Sequence, residues 1–191
     1  MSSPPPPRRR ADAQRNYERL LAAAETALNA HGAAASLDDI AKSAGVGNAT
    51  LYRHFPTREK LIEAVYDQRI GALCAAAGRL AATERPGDAL VGWLRAAVIH
   101  INASRTLGDA FNAAYQGPPD AEPPQVTAWH RSVREAVAPL LHAAQGAGRV
   151  RADLDGAELI ALVTAVARAG NPAQAGRFLE ILLEGITPRA V

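Results

Sequence analysis

Two short stretches, residues 37–44 and 48–54, are separated only by Gly45-Val46-Gly47. Apolar residues recur in them at helical spacing: Leu37, Ile40, Ala41 and Ala44, then Leu51. Helices this short have little stability alone, because the first turn is unfavourable and only propagation offsets it. They must pack on each other and on something larger. Two helices joined by a tight glycine-containing turn form a helix-turn-helix. Ile40, Ala41, Val46 and Leu51 would hold such a pair together, which turns the opposite side of the second helix to solvent. That side carries Asn48, Ala49, Tyr52 and Arg53, with Thr50 and His54 at its edges.

The rest of the chain also reads as helix. Ala, Leu, Arg and Glu dominate while strand formers are scattered, so the expected fold is all-α. Residues 1–10, Ser and Pro followed by Arg8, Arg9 and Arg10, read as a disordered basic arm. A first helix is expected over 11–29, with Tyr17, Leu20, Leu21, Ala24 and Leu28 on one face. Ser36, with Asp39 three residues on, resembles a capping box. Phe55-Pro56 stops the helix over 48–54, and Thr57 caps a long helix over 58–82.

Beyond Arg85-Pro86-Gly87 the helices become longer and more apolar. One over 88–105 carries Leu90, Trp93, Leu94, Ala97, Val98 and Ile101 as a stripe; a shorter piece over 107–115 leads to a loop over 116–124. A helix over 125–145 is expected to bend near Pro139. Asp155 and Glu158 box the start of a helix ending near Arg168; Asn171 caps the last, with Pro172 at its first position. These last two are apolar over more than one face across 159–166 and 178–186, which calls for a further partner.

Charge and motifs narrow the function. The formal net charge is +2. Residues 1–69 hold 10 Lys/Arg against 8 Asp/Glu, and the remainder 11 against 11, so the whole excess lies where a polyanion would dock. No run is long enough to cross a bilayer and no signal-peptide pattern begins the chain, so the protein is expected in the cytoplasm. Cys74 is the single cysteine, and His100, His130 and His142 lack ligand spacing, so neither a disulfide nor a metal site is expected. With no nucleophile motif, phosphate loop or zinc-helix signature, the chain reads as a non-enzyme without a cofactor.

The solvent side of residues 48–54 suits the DNA major groove. Asn48 can read adenine and Arg53 guanine, while Ala49 and the Tyr52 ring can touch a thymine methyl. Thr50, His54 and Arg58 can reach phosphates. Leu37-Asp38-Asp39-Ile40-Ala41-Lys42-Ser43-Ala44-Gly45-Val46, then Thr50-Leu51-Tyr52-Arg53-His54-Phe55, then Thr57-Arg58-Glu59-Lys60-Leu61, resembles the TetR (tetracycline-repressor) family of bacterial transcription regulators. The likeness covers residues 17–66. The segments 148–153 and 177–186 are similar, more loosely, to the ending of many members.

The resemblance implies an all-helical homodimer with a DNA-binding head over 11–56 and a ligand-binding and dimerisation domain over 57–191. Its last two helices would form a four-helix interface, and the dimer would repress from a palindromic operator in double-stranded DNA. By position, Ser36, Thr50, Tyr52, His54 and Arg58 would take phosphate-contacting places, and Asn48, Ala49 and Arg53 base-reading ones. Gly47 stands where the family usually has a capping serine, and Pro56 where it commonly has a basic or polar residue.

A small-molecule effector is expected in the second domain. Trp93, His100, Asn102, Arg105, Phe111, Asn112, Tyr115, Trp129, His130 and Arg134 mix aromatic and polar groups on helices expected to be mostly buried, as a pocket for an aromatic or amphipathic compound would. The other reading of the same residues is a loosely packed core with surface hydrogen bonds, and the alternative for the whole chain is a helical small-molecule carrier or enzyme with a vestigial head.

Overall fold

The computed structural model describes residues 7–105, 107–109 and 123–188, and among these the regular structure is helical throughout. The chain divides into two compact units: one of the residues up to Tyr66 with a segment beginning at Arg105, the other of Asp67–Ser104 with the chain from Pro119 on.

The first unit begins with α1, Pro7–His31. Its start lies earlier than expected, for a physical reason. Proline fits the first helical position, where its missing N–H would have no partner anyway, so the helix begins at the last proline rather than after it. The backbone of Arg8, Arg9 and Arg10 is therefore helical, not part of a structureless arm; residues 1–6 lie outside the described residues. A short 3-10 turn, Gly32–Ala34, leads to α2, Leu37–Ser43, and α3, Asn48–His54. Leu20, Leu21, Ala24 and Leu28 of α1 are buried together with Ile40, Ala41, Leu51 and Phe55.

The helix α4, Arg58–Thr83, opens with the Thr57 hydroxyl accepting from the Lys60 amide at 3.3 Å. Its residues through Tyr66 belong to the first unit, so the division falls later than the expected boundary before Thr57. The segment from Arg105 joins the same unit: Leu107 is fully buried, and a Cβ on Gly108 would lie 3.2 Å from the Tyr66 hydroxyl. The expected helix over 107–115 is helical across 107–109, and its remainder lies outside the described residues.

In the second unit α5, Pro86–Ala103, is central, touching α6, Pro124–Gly146; α7, Gly156–Arg168; and α8, Pro172–Ile186. Leu90, Trp93, Leu94, Ala97 and Val98 of α5 are buried against Val137 and Leu140 of α6, Leu159 and Val163 of α7, and Leu179 of α8. α6 runs on through Pro139. Asp155 caps α7 by accepting from the Ala157 and Glu158 amides at 2.7 and 2.8 Å, while Glu158 accepts from the Asp155 amide at 3.0 Å. Asn171 and Gln174 close the same reciprocal box on α8.

Trp93 shows how this core is anchored. Its indole is wholly buried and its Nε1–H donates to the Leu73 carbonyl of α4 at 3.0 Å. Trp93→Ala is expected to lower unfolding free energy by about 3–5 kcal/mol. Arg134→Ala, on an exposed part of α6, should stay within about 0.5 kcal/mol. Chemical denaturation of both variants measures the contrast.

Candidate nucleic-acid interface

The turn between α2 and α3 depends on one backbone conformation. Gly45 has φ +64°, which a side chain tolerates poorly, and it lets the chain reverse within three residues. The Val46 amide then donates to the Ala41 carbonyl at 3.0 Å, closing the turn onto α2. Ser36 caps α2, its hydroxyl accepting from the Asp39 amide at 3.3 Å. Gly47 caps α3 with no side-chain bond.

These constraints aim the faces of α3. Leu51 and Phe55 are buried; Asn48, Ala49, Tyr52 and Arg53 are exposed, and Tyr52 keeps 47% of its surface in solvent. The face the sequence pattern pointed outward is therefore accessible. One of its members is already oriented by a neighbour, and a second has only a distant one. Asn48 Nδ2 donates to Asp38 Oδ1 at 2.7 Å, across the turn from α2. Arg53 Nη2 reaches the Thr50 hydroxyl at 3.5 Å. Asp38 was not singled out in the sequence, since periodicity shows only that it is polar; contact with Asn48 appears once the turn is folded.

Two expected phosphate contacts have other surroundings. The Arg58 guanidinium donates to the Ala33 carbonyl at 3.1 Å and to the Ala35 carbonyl, tying the start of α4 to the segment before α2. His54 lies half-buried, its ring edge-on to Tyr17 with centroids 5.9 Å apart and 6.2 Å from Phe55. Its Nε2 is buried and finds no hydrogen-bond partner among the described residues. Burial, then the Arg53 charge, holds the imidazole below its usual pKa.

Few of the expected effector contacts gather into a cavity. Trp93 is core. Trp129 is buried and donates Nε1–H to the Asp67 carboxylate, which also accepts from Gln125 Nε2 at 2.8 Å. His130, Arg134 and Arg105 are exposed, and His100 is half-buried on α5. Phe111, Asn112 and Tyr115 lie outside the described residues. Asn102 alone of the set borders an open groove of about 610 Å³ between α5 and α8. Among the described residues no cluster of His, Cys, Asp and Glu could hold a metal, and no helix is long and apolar enough to cross a membrane.

A solvent-facing helix after a glycine turn, in a compact helical unit and with a second helical unit following, defines the class of helix-turn-helix transcription regulators. Residues 20–65 match the family model of bacterial regulatory proteins of the tetR family, and residues 85–188 that of the SbtR-like transcriptional regulator C-terminal domain. The chain belongs to the TetR family, and is a ligand-responsive DNA-binding transcriptional regulator.

It is similar to the TetR regulator SCO0520 of Streptomyces coelicolor, with 35% identity, 91% of this chain and 99% of that one covered, and a TM-score of 0.76. A TetR regulatory protein of Mycobacterium vanbaalenii shares 34% identity over 94% of this chain and 99% of its own, also at 0.76. A gamma-butyrolactone receptor, at 23% identity, 92% and 90% coverage and a TM-score of 0.63, shares the fold. No match was found among curated proteins.

The His54 surroundings set a pH dependence. With the folded pKa below the ordinary value of about 6.5, the unfolded chain binds more protons between the two, so stability is full above that window and falls as pH drops through it. Denaturation midpoints measured across pH 7 to 5 should fall less steeply in His54→Gln than in the wild type.

Proposed function

We propose that the protein is a homodimeric repressor that lays α3 in the major groove of a palindromic operator and leaves it when a small molecule binds the second unit. The observation that carries this reading is the division of α3 and its cap, with Leu51 and the capping Phe55 in the core and Asn48, Ala49, Tyr52 and Arg53 in solvent. In this reading Arg53 pairs with a guanine edge, Asn48 with adenine, and Ala49 touches a thymine methyl. Ser36, Thr50 and Tyr52 offer hydroxyls to phosphates.

Arg58 and His54 act from behind. The Arg58 bonds to Ala33 and Ala35 make it a brace of the head, and His54 packs beside the Tyr17 and Phe55 rings, which touch each other. The cytoplasm is the compartment where such a protein meets DNA.

The last two helices supply the dimer contact. Leu162 of α7 and Phe178 and Ile181 of α8 keep 41%, 37% and 56% of their surfaces exposed, as residues do when their partner is another chain. The two heads of the dimer would then meet half-sites one helical turn apart, about 34–36 Å. An effector lowers DNA affinity only by binding the free and DNA-bound states unequally.

Fluorescence anisotropy with duplex from beside the gene, against scrambled duplex, tests the reading. Arg53→Ala should remove about 1–3 kcal/mol of discrimination. Arg58→Ala should instead lower head stability by about 1–3 kcal/mol while leaving the salt dependence of binding unchanged. Full discrimination retained by Arg53→Ala rejects the assigned reader. A loss of salt slope in folded Arg58→Ala returns that residue to the phosphates.

A further inference from the structure

Asp38 lies in the first turn of α2 and Asn48 opens α3, ten residues on. Ser36 already caps α2 through the Asp39 amide, which leaves the Asp38 carboxylate free for another task. It accepts from Asn48 Nδ2 at 2.7 Å. Both side chains are exposed, on the side of the turn that carries Ala49 and Arg53.

An ionised carboxylate only accepts, so this bond decides which end of the amide faces it: the NH2 turns towards Asp38 and Oδ1 away. One Nδ2 proton is taken, and the other remains with Oδ1 for a base edge. An unheld asparagine can turn its amide over and offer either group at a given place. Adenine needs both, an acceptor for N6–H and a donor for N7, whereas the N7 and O6 of guanine need donors alone. Charge acts in the same direction. The carboxylate and the fixed Oδ1 disfavour the two acceptors of guanine, and the carboxylate is repelled by every phosphate.

We propose that Asp38 is a positioning residue for base reading, which commits Asn48 to adenine over guanine and lowers affinity for DNA of any sequence in doing so. The proposal rests on the reading of α3 as the major-groove helix. Asp39 supplies the control. It is exposed, carries the same charge one residue on and makes no bond to Asn48.

Duplexes selected from a randomised pool by the full wild-type chain provide the sites. Fluorescence anisotropy at about 0.1 M salt then compares the selected duplex, its single-pair variants and a scrambled duplex. Asn48→Ala locates the pair that Asn48 reads, an adenine·thymine pair whose preference over guanine·cytosine should fall about tenfold. Asp38→Asn keeps the shape, but its amide can accept from Asn48 or donate to it, so the orientation is lost. Preference at that same pair should fall about three- to tenfold, and preference at the pair read by Arg53 should hold. Scrambled duplex should bind about twofold tighter or more, a gain shared by Asp39→Asn without any change of preference. Combining Asp38→Asn with Asn48→Ala should cost no further preference at that pair.

Preference that survives Asp38→Asn, that falls equally at the Arg53 pair or that falls as far in Asp39→Asn overturns the proposal and leaves α3 as the reader. So does weaker binding of Asp38→Asn to every duplex, the mark of a structural brace, or a pair sensitive to Asn48→Ala that is not adenine·thymine. If Asn48→Ala and Arg53→Ala both leave every preference intact, the reading of α3 fails and the proposal with it. Both aspartates are exposed, so the variants should keep the wild-type thermal midpoint; Asp38→Ser, which also removes the bond, repeats the test if Asp38→Asn does not.

Discussion

A seven-residue helix cannot hold its own shape in water, and the surface we propose for reading DNA is carried on one. Everything about the first unit follows from that constraint. Leu51 is the buried anchor of α3, and the positive φ of Gly45 brings it onto α2 within a three-residue turn, while Phe55, just past the helix end, packs on Tyr17 of α1 with ring centroids 5.2 Å apart. Arg58 then fixes the segment before α2 through the Ala33 and Ala35 carbonyls, a bond across more than twenty residues of chain. Asp38 holds the Asn48 amide from the α2 side. A side chain that must meet a base edge to within a hydrogen bond's tolerance needs this external bracing, since the helix beneath it supplies none.

The division of labour between Arg53 and Arg58 is an instance of the same constraint. Both are basic, both sit in or beside the same motif, and by residue type either could meet a phosphate or a base. What separates them is the set of carbonyls within reach. Ala33 and Ala35 lie beside Arg58, and a guanidinium with two backbone acceptors is a structural strut, whereas Arg53 has only the distant Thr50 hydroxyl and remains adjustable. Residue type proposes a role; the neighbouring backbone selects it.

That distinction marks how far the sequence was legible. Caps and breaks were readable because their physics is local: Ser36, Asp155, Asn171 and Pro172 act within four residues, and each stands where its pattern placed it. The outward face of α3 was readable for a similar reason, since helical spacing decides it. The start of α1 was misjudged because Pro7 both breaks a preceding helix and suits a first turn, and only the chain after it settles which. The effector contacts were the least legible. Trp93, His130 and Arg134 look alike in a list of aromatic and polar residues, yet Trp93 satisfies its N–H on Leu73 in the core while the other two face water. Sequence gives the polar group but not the carbonyl, tens of residues away, that answers it.

The second unit carries two apolar surfaces that differ in the chemistry they present. Leu162, Phe178 and Ile181 expose hydrocarbon with no polar atom in need of a partner, so covering them gains the hydrophobic term and asks for no directional bond. Another helix face of the same kind does this well. The α5–α8 groove is lined by Val98, Ile99 and Leu179 together with the paired charges of Arg95 and Glu180, so whatever covers it meets hydrocarbon beside an ion pair that is already made.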